Sequence, residues 1–174
     1  KSIKDPAGTY SNNLSNTLAL LNSATEHNVK HFVFSSSSSV YGSAGTIDEV
    51  GMVPFVETQQ IDPVTPYSRS KAMIETILKD YERAYGMTHM SLRYFNAAGS
   101  HKGELGYRIN PAEHLIPILV DCAYTGKEFK LNGINYNTPD GTCIRDYTHV
   151  TDIATAHIAA VDYLTSGNTS TVTN

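Results

Sequence analysis

The chain has 174 residues, of which 40% are hydrophobic and 17% are charged, and its formal net charge is −4 at pH 7. A chain of this length can bury about 70% of its unfolded surface, so it can form a core without disulfides or metal ions. The sequence has no run of Lys and Arg, which argues against nucleic acid or an anionic membrane surface as a partner. No apolar stretch approaches the ~18 residues of a membrane span. Because Cys122 and Cys143 form neither a disulfide framework nor a metal-binding spacing, we expect a cytoplasmic setting and no metal site.

The first half of the chain alternates between helical and strand patterns. Apolar residues at helical spacing predict one helix over residues 12–28 and another from about residue 65 to residue 85. A short apolar run predicts a buried strand over 30–34, and alternating apolar residues predict a second strand over 88–95. Residues 42–66, rich in Gly, Pro and Asp, are predicted to form a long loop. This order of elements predicts an α/β fold with a parallel sheet.

The second half of the chain is less regular. Residues 99–111 are polar and are predicted to form a loop. The apolar patterns then predict three elements, which are a helix over 115–123, a short strand over 129–132 and a last helix over 150–161. From Thr165 onward the sequence is rich in Ser, Thr and Asn, and we expect an irregular tail.

Two polar segments are placed where chemistry can occur. Tyr67 and Lys71 are four residues apart at the start of a predicted helix, so they lie on one helix face. A nearby ammonium stabilises a phenolate, and we therefore expect Lys71 to lower the pKa of Tyr67 and make it a general base. Five consecutive serines, residues 35–39, follow the first predicted strand. Ligands of parallel α/β sheets bind beyond the carboxyl ends of the strands, so a serine there can act beside Tyr67.

Four motifs, in order, resemble one known family. They are Phe34-Ser-Ser-Ser-Ser-Ser-Val-Tyr-Gly42, Thr65-Pro-Tyr-Ser-Arg-Ser-Lys71, Leu92-Arg-Tyr-Phe-Asn-Ala-Ala-Gly99 and Asp140-Gly-Thr-Cys-Ile-Arg-Asp-Tyr-Thr-His-Val150. The chain resembles the extended short-chain dehydrogenase/reductases, and within them the NAD-dependent epimerase/dehydratase family. The resemblance covers nearly all of the sequence, from about Asn12 to Leu164.

The resemblance implies a Rossmann-like, doubly wound parallel sheet that lacks its first βαβ units, with part of a small α/β substrate domain. It implies that residues 1–98 are the C-terminal half of the NAD-binding domain and carry the catalytic residues. Residues 99–149 would belong to the nucleotide-sugar-binding region, and residues 150–164 would form a helix that packs back on the Rossmann domain. Residues 165–174 would be the irregular tail.

The glycine-rich turn that cradles the NAD pyrophosphate in this family has no counterpart in the sequence. We therefore expect the chain to be an internal fragment of a longer enzyme. The 174 residues alone are expected to bind NAD poorly and to be inactive.

The resemblance also implies roles for individual residues. Ser37, Tyr67 and Lys71 correspond to the catalytic residues, with Tyr67 as the base. These three residues, together with Asn12 and Phe95, correspond to positions that contact NAD. The positions implied for the nucleotide-sugar site are Ser37, Tyr67, Asn96, His114, Leu115, Lys130, Leu131, Asn132 and Arg145.

Two of the substrate positions also have a plain structural interpretation. Arg145 suits a diphosphate because a guanidinium binds phosphate in a bidentate manner, but it could instead pair with Asp146. Asn96 can donate to a sugar or a phosphate, or it can be a turn residue.

Other candidates are less specific to ligand binding. An alternative interpretation of His114 is that it only flanks a helix cap, and an alternative for Lys130 and Leu131 is that they contribute backbone groups alone. His149, within the fourth motif, is predicted to have a structural role and to order the loop before the last helix.

The implied activity is the NAD-dependent 4-epimerisation of a UDP-hexose, UDP-galactose to UDP-glucose, in galactose metabolism. Tyr67, helped by Ser37, would take the proton of the 4-hydroxyl while hydride passes to NAD. The 4-keto sugar would then rotate about its linkage to the diphosphate and receive hydride on its other face. Family members are commonly homodimers through a helix bundle, and the helix over 12–28 and the helix after Tyr67 are the candidates here.

Two alternatives remain open. The chain could belong to another nucleotide-sugar epimerase, dehydratase or decarboxylase of the extended family. Dehydratases typically carry Thr-Asp-Glu where this chain has Ser37-Ser38-Ser39, which argues against water elimination. The chain could also be a non-catalytic binding fragment.

Overall fold

The computed structural model describes residues 1–42, 47–48, 51–52, 54–107 and 112–174. Parts of the predicted loops over 42–66 and 99–111 lie outside the described residues. The chain forms two compact units, which are Lys1–Tyr94 with Ala156–Asn174, and Phe95–Thr155. The predicted borders after residues 98 and 149 differ from these limits by four and six residues, and the predicted division into domains with its functions stays a prediction. Within the described part, no helix is long and apolar enough to cross a membrane.

The elements confirm most of the predicted order. The described helices are α1 (Pro6–Tyr10), a π-helical turn (Ser11–Ser15), α2 (Asn16–Glu26), a 3-10 turn (Ser38–Tyr41), α3 (Pro66–Tyr85), α4 (Leu115–Thr125) and α5 (Val150–Thr165). The described strands are β1 (His31–Ser35), β2 (Ile47–Asp48), β3 (Gly51–Met52), β4 (Thr88–Leu92), β5 (Asn96–Ala98), β6 (Tyr147–His149) and β7 (Thr171–Thr173).

The main sheet of the first unit is parallel, with the strand order β1-β4-β7. Strands β1 and β4 are joined through α3, which is the βαβ connection that parallel neighbours require. β7 corrects the prediction of an irregular tail over residues 165–174, because Met90 is in register with Thr171 and Leu92 with Thr173. The tail forms a strand since the ladder of β4 supplies it with hydrogen-bond partners, which local composition does not reveal.

Helices cover both faces of this sheet, as the doubly wound prediction requires. On one face, Leu21 of α2 and Ile74 and Leu78 of α3 pack with Phe34 and Met87. On the other face, α5 contributes Ala160 and Leu164, which pack with Met90 and Leu92 of β4. Consecutive residues of a strand point to opposite faces, so one short strand can contribute to both layers.

The first helical segment begins earlier than predicted. Helix α1 starts at Pro6, and the Asp5 side chain caps it by accepting a hydrogen bond from the Gly8 N–H at 2.9 Å. Proline fits the first position of a helix because its missing N–H has no partner there in any case. The segment ends with α2 at Glu26, two residues before the predicted end.

Local sequence signals determine both ends of α3. Thr65 and Ser68 form a reciprocal capping box before the first turn, and Pro66 occupies the first helical position. At the other end Gly86 adopts a left-handed conformation, with φ of +69°, that other residues rarely tolerate. The predicted helix over 65–85 is therefore confirmed, and its start is fixed where Tyr67 lies.

The second unit contains the parallel pair β5–β6 and the predicted helix α4. The predicted strand over residues 129–132 is wrong, since these residues are irregular. Phe129 and Leu131 are 37% and 51% exposed. No described strand lies in register with this segment, and an unpaired strand leaves its backbone groups without partners.

Leu78 tests the core beneath α3, because it is 1% exposed and packs within the Leu21–Phe34 cluster. In the complete protein that carries this chain, we expect Leu78→Ala to lower the free energy of unfolding by about 2–5 kcal/mol, through lost burial and a cavity. The control is Ile158→Ala on α5, where the side chain is 65% exposed. Urea unfolding curves measure both losses, and equal losses would contradict the assigned core.

Candidate active site

Ser37 lies at the carboxyl end of β1, where the chain turns into the 3-10 segment. Its backbone is extended, and its hydroxyl oxygen accepts hydrogen bonds from Ser39 N at 3.2 Å and from Ser39 Oγ at 2.9 Å. A hydroxyl oxygen has two acceptor sites and one proton to donate. Because Ser39 occupies the acceptor sites, the Ser37 proton remains available for another partner.

That partner is Tyr67, at the start of α3. The Ser37 side chain lies near the Tyr67 hydroxyl and acts to lower the pKa of Tyr67, which remains 40% exposed. Lys71, one turn further along, donates from Nζ to the Ser35 carbonyl oxygen at 2.8 Å. Its Nζ lies 5.7 Å from the centre of the Tyr67 ring. The structure therefore brings the three predicted catalytic residues together.

The electrostatic prediction for Tyr67 is wrong in this structure. Burial raises the pKa of Tyr67 above its ordinary value, and the hydrogen bond from Ser37 offsets only part of that rise. Burial also lowers the pKa of Lys71. The Lys71 ammonium faces the Ser35 carbonyl and the Phe34 ring, 4.8 Å from the ring centre. Desolvation therefore outweighs the attraction between ammonium and phenolate.

A buried ion pair lies directly behind these residues and was not predicted. The Arg93 guanidinium donates from Nε to Glu75 Oε1 at 3.0 Å and from Nη2 to Glu75 Oε2 at 2.6 Å. The Ser36 hydroxyl donates to Glu75 Oε1 at 2.5 Å. One sequence signal could have revealed Glu75, which is a carboxylate within the apolar face formed by Ile74 and Leu78.

The ion pair continues into a larger polar network. Arg93 Nη1 donates to the Tyr41 hydroxyl at 2.9 Å, and that hydroxyl donates to Asn174 Oδ1 at 2.6 Å. Burial alone would lower the pKa of Arg93, but the hydrogen bonds and charge of Glu75 raise it above its ordinary value. The Arg93 guanidinium is therefore charged at neutral pH.

Ser35 adds a contact on the other face of the sheet. Its hydroxyl shares a hydrogen bond of 2.7 Å with His157 Nε2 of α5, while its carbonyl holds Lys71. Three consecutive serines thus have different partners, with Ser35 bound to α5, Ser36 to Glu75 and Ser37 to Tyr67. The serine run is therefore ordered by contacts with several elements. We call residues 35–39 the serine junction.

Asn12, a predicted NAD contact, lies in the π-helical turn and is exposed. Asn16 Nδ2 donates to its side-chain oxygen at 3.3 Å. The neighbouring Asn13 donates to Ser70 Oγ at 2.8 Å, which ties this turn to α3 beside Lys71. Single π-helical turns occur frequently at functional sites.

The remaining predicted positions lie in the second unit. Asn96 donates from Nδ2 to the Asp146 carbonyl at 2.7 Å, and Phe95 before it is half-buried. His114 is the N-cap residue of α4, makes no side-chain cap and lies 5.5 Å from the Tyr107 ring. The exposed positions are Leu115, Lys130, Leu131, Asn132 and Arg145. Among the described ion pairs, none joins Arg145 to Asp146, so the plain structural interpretation of Arg145 is not supported.

The prediction of a structural role for His149 is supported. Its Nδ1 accepts a hydrogen bond from Thr151 N at 3.2 Å at the start of α5. A β-carbon at Gly99 would lie 2.2 Å from His149 Cδ2, and Gly99 has φ of +91°. Glycine at position 99 therefore lets the imidazole approach the backbone. No group of three metal-binding side chains occurs among the residues that the structure describes.

A parallel sheet with a serine at the end of one strand and Tyr-x-x-x-Lys on the following helix defines the short-chain dehydrogenase/reductase type of site. The sequence profile of the NAD dependent epimerase/dehydratase family matches residues 1–174, and the chain belongs to this family.

Known relatives agree with this assignment. UDP-glucose 4-epimerase of Rhizobium meliloti (strain 1021) is 44% identical over 100% of this chain and 52% of its own length. The crystal structure of UDP-glucose 4-epimerase from Brucella ovis in complex with NAD matches with a TM-score of 0.90 and 40% identity, over 99% of this chain and 52% of that one. The Bifidobacterium longum UDP-glucose 4-epimerase in complex with NAD+ and UDP has a TM-score of 0.83 and 37% identity, over 98% and 50%. The chain spans about half the length of the relatives it matches.

Ser37→Ala tests the hydrogen bond to Tyr67. The variant loses the donor that stabilises the phenolate, so we expect the pKa of Tyr67 to rise further, by up to about one unit for a hydrogen bond worth about 0.5–1.5 kcal/mol. At any pH below that pKa, less phenolate is then present.

The phenolate absorbance of the complete protein measures this pKa. Because the chain has 11 tyrosines, each titration is taken as a difference from the same protein with Tyr67→Phe. Ser38→Ala is the matched control, because Ser38 contacts Tyr94 O through its backbone N–H. A Tyr67 pKa that moves equally in both variants, or not at all, would contradict the geometry.

Proposed function

We propose that the protein carrying this chain is an NAD-dependent 4-epimerase of UDP-hexoses that interconverts UDP-galactose and UDP-glucose, an isomerase of galactose metabolism. The single observation that carries the proposal is that Ser37, Tyr67 and Lys71 lie together at the carboxyl end of β1, where Ser37 influences the Tyr67 hydroxyl and Lys71 Nζ lies 5.7 Å from the centre of the Tyr67 ring. The relatives at 40% to 44% identity named above support the same activity.

The donor groups at this site fit the sugar of a nicotinamide nucleotide. Lys71 gives one N–H to Ser35, and an ammonium has two further donors. Beside it stands the hydroxyl of Tyr67. An ammonium and a phenol side by side suit the vicinal hydroxyls of a ribose, so Tyr67 and Lys71 would hold NAD there, with Asn12 and Phe95 as further predicted contacts. When bound, NAD supplies the acceptor and donor of hydride at the sugar.

The residues of the chain handle the proton. Tyr67 is the group that removes the proton of the 4-hydroxyl and later returns it, because its hydroxyl combines partial exposure with a fixed hydrogen bond to Ser37. Ser37 stabilises the phenolate by donating to it, and Ser39 keeps that donor pointing at Tyr67. General acid–base catalysis of this kind contributes about 10²–10⁴-fold to a rate.

The second unit is proposed to bind the nucleotide part of the substrate. Arg145 is exposed, and its guanidinium can bind a diphosphate in a bidentate manner. Asn96 uses its amide nitrogen to hold the Asp146 carbonyl, which leaves its amide oxygen for a sugar or uridine donor. His114, Leu115, Lys130, Leu131 and Asn132 complete the proposed UDP-sugar contacts.

The serine junction argues against dehydration as the reaction. Elimination of water needs acidic side chains next to the catalytic position, and the residues there are Ser38 and Ser39. The hydroxyl of Ser39 is engaged with Ser37, so it holds the catalytic serine. Oxidation followed by reduction at the same carbon needs only the proton-transfer set that is present.

We further propose that the protein is a cytoplasmic homodimer. Leu18 and Leu20 of α2 are 38% and 57% exposed, and Met73 and Tyr85 of α3 are 45% and 54% exposed. Apolar side chains exposed on two helices suit a helix-bundle contact with a second copy. Cys122 and Cys143 are free thiols, which suits a reducing compartment.

Tyr67→Phe tests the proposed function in the complete protein, assayed with UDP-galactose and NAD. We expect kcat to fall about 10²–10⁴-fold, because only the proton-transfer hydroxyl is removed. The melting temperature should stay nearly unchanged, since Tyr67 is 40% exposed.

Tyr85→Phe on the same helix is the matched control, with a ring that is 54% exposed. It should keep the wild-type rate. A wild-type protein without epimerase activity, or a Tyr67→Phe variant with the rate of the control, would contradict the proposal.

Arg145→Met tests the diphosphate contact separately from proton transfer. We expect KM for UDP-galactose to rise about 10- to 100-fold, because a charge-assisted hydrogen bond contributes about 1.5–3 kcal/mol. Arg83→Met is the control, since the Arg83 side chain is 82% exposed and pairs only with its helix neighbour Asp80. An unchanged KM in Arg145→Met would exclude Arg145 from the substrate site.

A further inference from the structure

Glu75 occupies the same face of α3 as the two catalytic residues of that helix. Tyr67, Lys71 and Glu75 follow one another at intervals of four residues, so they form a single row along the helix. Tyr67 is at the exposed end of the row, and Glu75 is 4% exposed. The row therefore leads from the site of proton transfer into the protein interior.

Glu75 is the point at which α3 is fixed to the ends of two strands. It accepts from Ser36 after β1 and from Arg93 after β4 through both of its carboxylate oxygens. Ser36 stands between Ser35, whose carbonyl holds Lys71, and Ser37, whose hydroxyl holds Tyr67. Any shift of Ser36 relative to α3 would change both catalytic contacts together.

We propose that Glu75 is a positioning residue of the proposed epimerase reaction. With Arg93 and Ser36 it clamps the Tyr67–Lys71 face of α3 to the serine junction and so sets the geometry between Tyr67 and Ser37. The inference rests on the proposed function for its kinetic consequences, but the clamp itself is defined by the contacts of Glu75.

Charge is essential to this clamp. Ser36 and Arg93 direct three donors at Glu75, and a carboxylate meets them with acceptors alone. In Glu75→Gln one acceptor oxygen becomes an NH₂ donor of the same size and shape. Ser36 and Arg93 Nε already share Oε1, so whichever oxygen is replaced, the new NH₂ faces at least one N–H of Arg93. The two donors repel, and the clamp loosens without a loss of packing volume.

The experiment uses the complete protein and compares Glu75→Gln with Glu82→Gln. Glu82 is on the same helix and also accepts a serine hydroxyl, from Ser170 at 2.5 Å, far from the serine junction. For Glu75→Gln we expect kcat to fall about 10- to 100-fold, since a misplacement of about 1 Å can cost that much. KM for UDP-galactose should change less than about threefold, because binding by Arg145 is untouched. Glu82→Gln should retain wild-type kcat.

A second readout follows the geometry without activity. If Ser37 is displaced, the phenolate of Tyr67 loses its donor and the pKa of Tyr67 rises. The other groups near Tyr67 are Tyr94 and Lys71, and the substitution changes the charge of neither. The difference titration against Tyr67→Phe should therefore show a higher pKa in Glu75→Gln and an unchanged one in Glu82→Gln.

Ser36→Ala gives a milder variant in case Glu75→Gln does not fold. It removes one hydrogen bond and keeps the Glu75–Arg93 pair, and it should raise the pKa of Tyr67 and lower kcat in the same direction, by less. A Tyr67 pKa that stays at the wild-type value in Glu75→Gln, or in Ser36→Ala where the first does not fold, would overturn the clamp. An inactive wild-type protein whose Tyr67 pKa still responds would overturn the proposed function and leave the clamp standing.

Discussion

Glu75 and Arg93 face each other at 2.6 Å with their side chains 5% and 7% exposed. Removing two charges from water costs several kcal/mol for each ion, and attraction compensates only when every remaining donor and acceptor is satisfied. Ser36 and Tyr41 provide the additional hydrogen bonds on the two sides of the pair. Because each partner comes from a different segment, the ion pair is complete only when α3, the serine junction and the end of β4 are all in place. The predicted catalytic residues occupy the first two of those segments.

The alternation of β4 explains how this pair fits into an otherwise apolar sheet. Met90 and Leu92 point to α5, whereas His89, Ser91 and Arg93 point to the side of α3. The polar side chains on this face of β4 differ in whether they have hydrogen-bond partners. Each nitrogen of the Arg93 guanidinium donates one hydrogen bond, while the side chains of His89 and Ser91 have no hydrogen-bond partner in the described structure. Burial accordingly lowers the pKa of His89, so its imidazole is neutral at pH 7. On this face of β4, the buried polar side chain with hydrogen-bond partners is the one at the carboxyl end, beside the candidate site.

The features that could be predicted from the sequence are those that depend on near neighbours. Helical spacing and the Tyr67–Lys71 interval are decided within a few residues, and these predictions hold. Glu75 and Arg93 are 18 positions apart and meet only through the βαβ connection, so neither shows its partner locally. Strand β7 depends on the free edge of β4, which composition cannot indicate. The prediction that the pKa of Tyr67 is lowered was wrong. The spacing of Tyr67 and Lys71 predicts a neighbouring charge, but it does not predict the desolvation that dominates here.

The predicted catalytic residues are packed against buried groups, whereas the predicted substrate-binding residues of the second unit are mostly exposed. This difference suits their proposed tasks. Proton transfer needs hydrogen-bond distances that are held within narrow limits, and the three predicted catalytic residues are supported by buried groups next to them. Recognition of a diphosphate depends on charge and on donors that can reach the ligand, and Arg145 and its neighbours are exposed. The described residues of the second unit include no fully buried side chain. The proposed substrate makes the same two demands on a protein. The groups at its reacting carbon must be placed precisely, and its phosphates must be held while the sugar rotates.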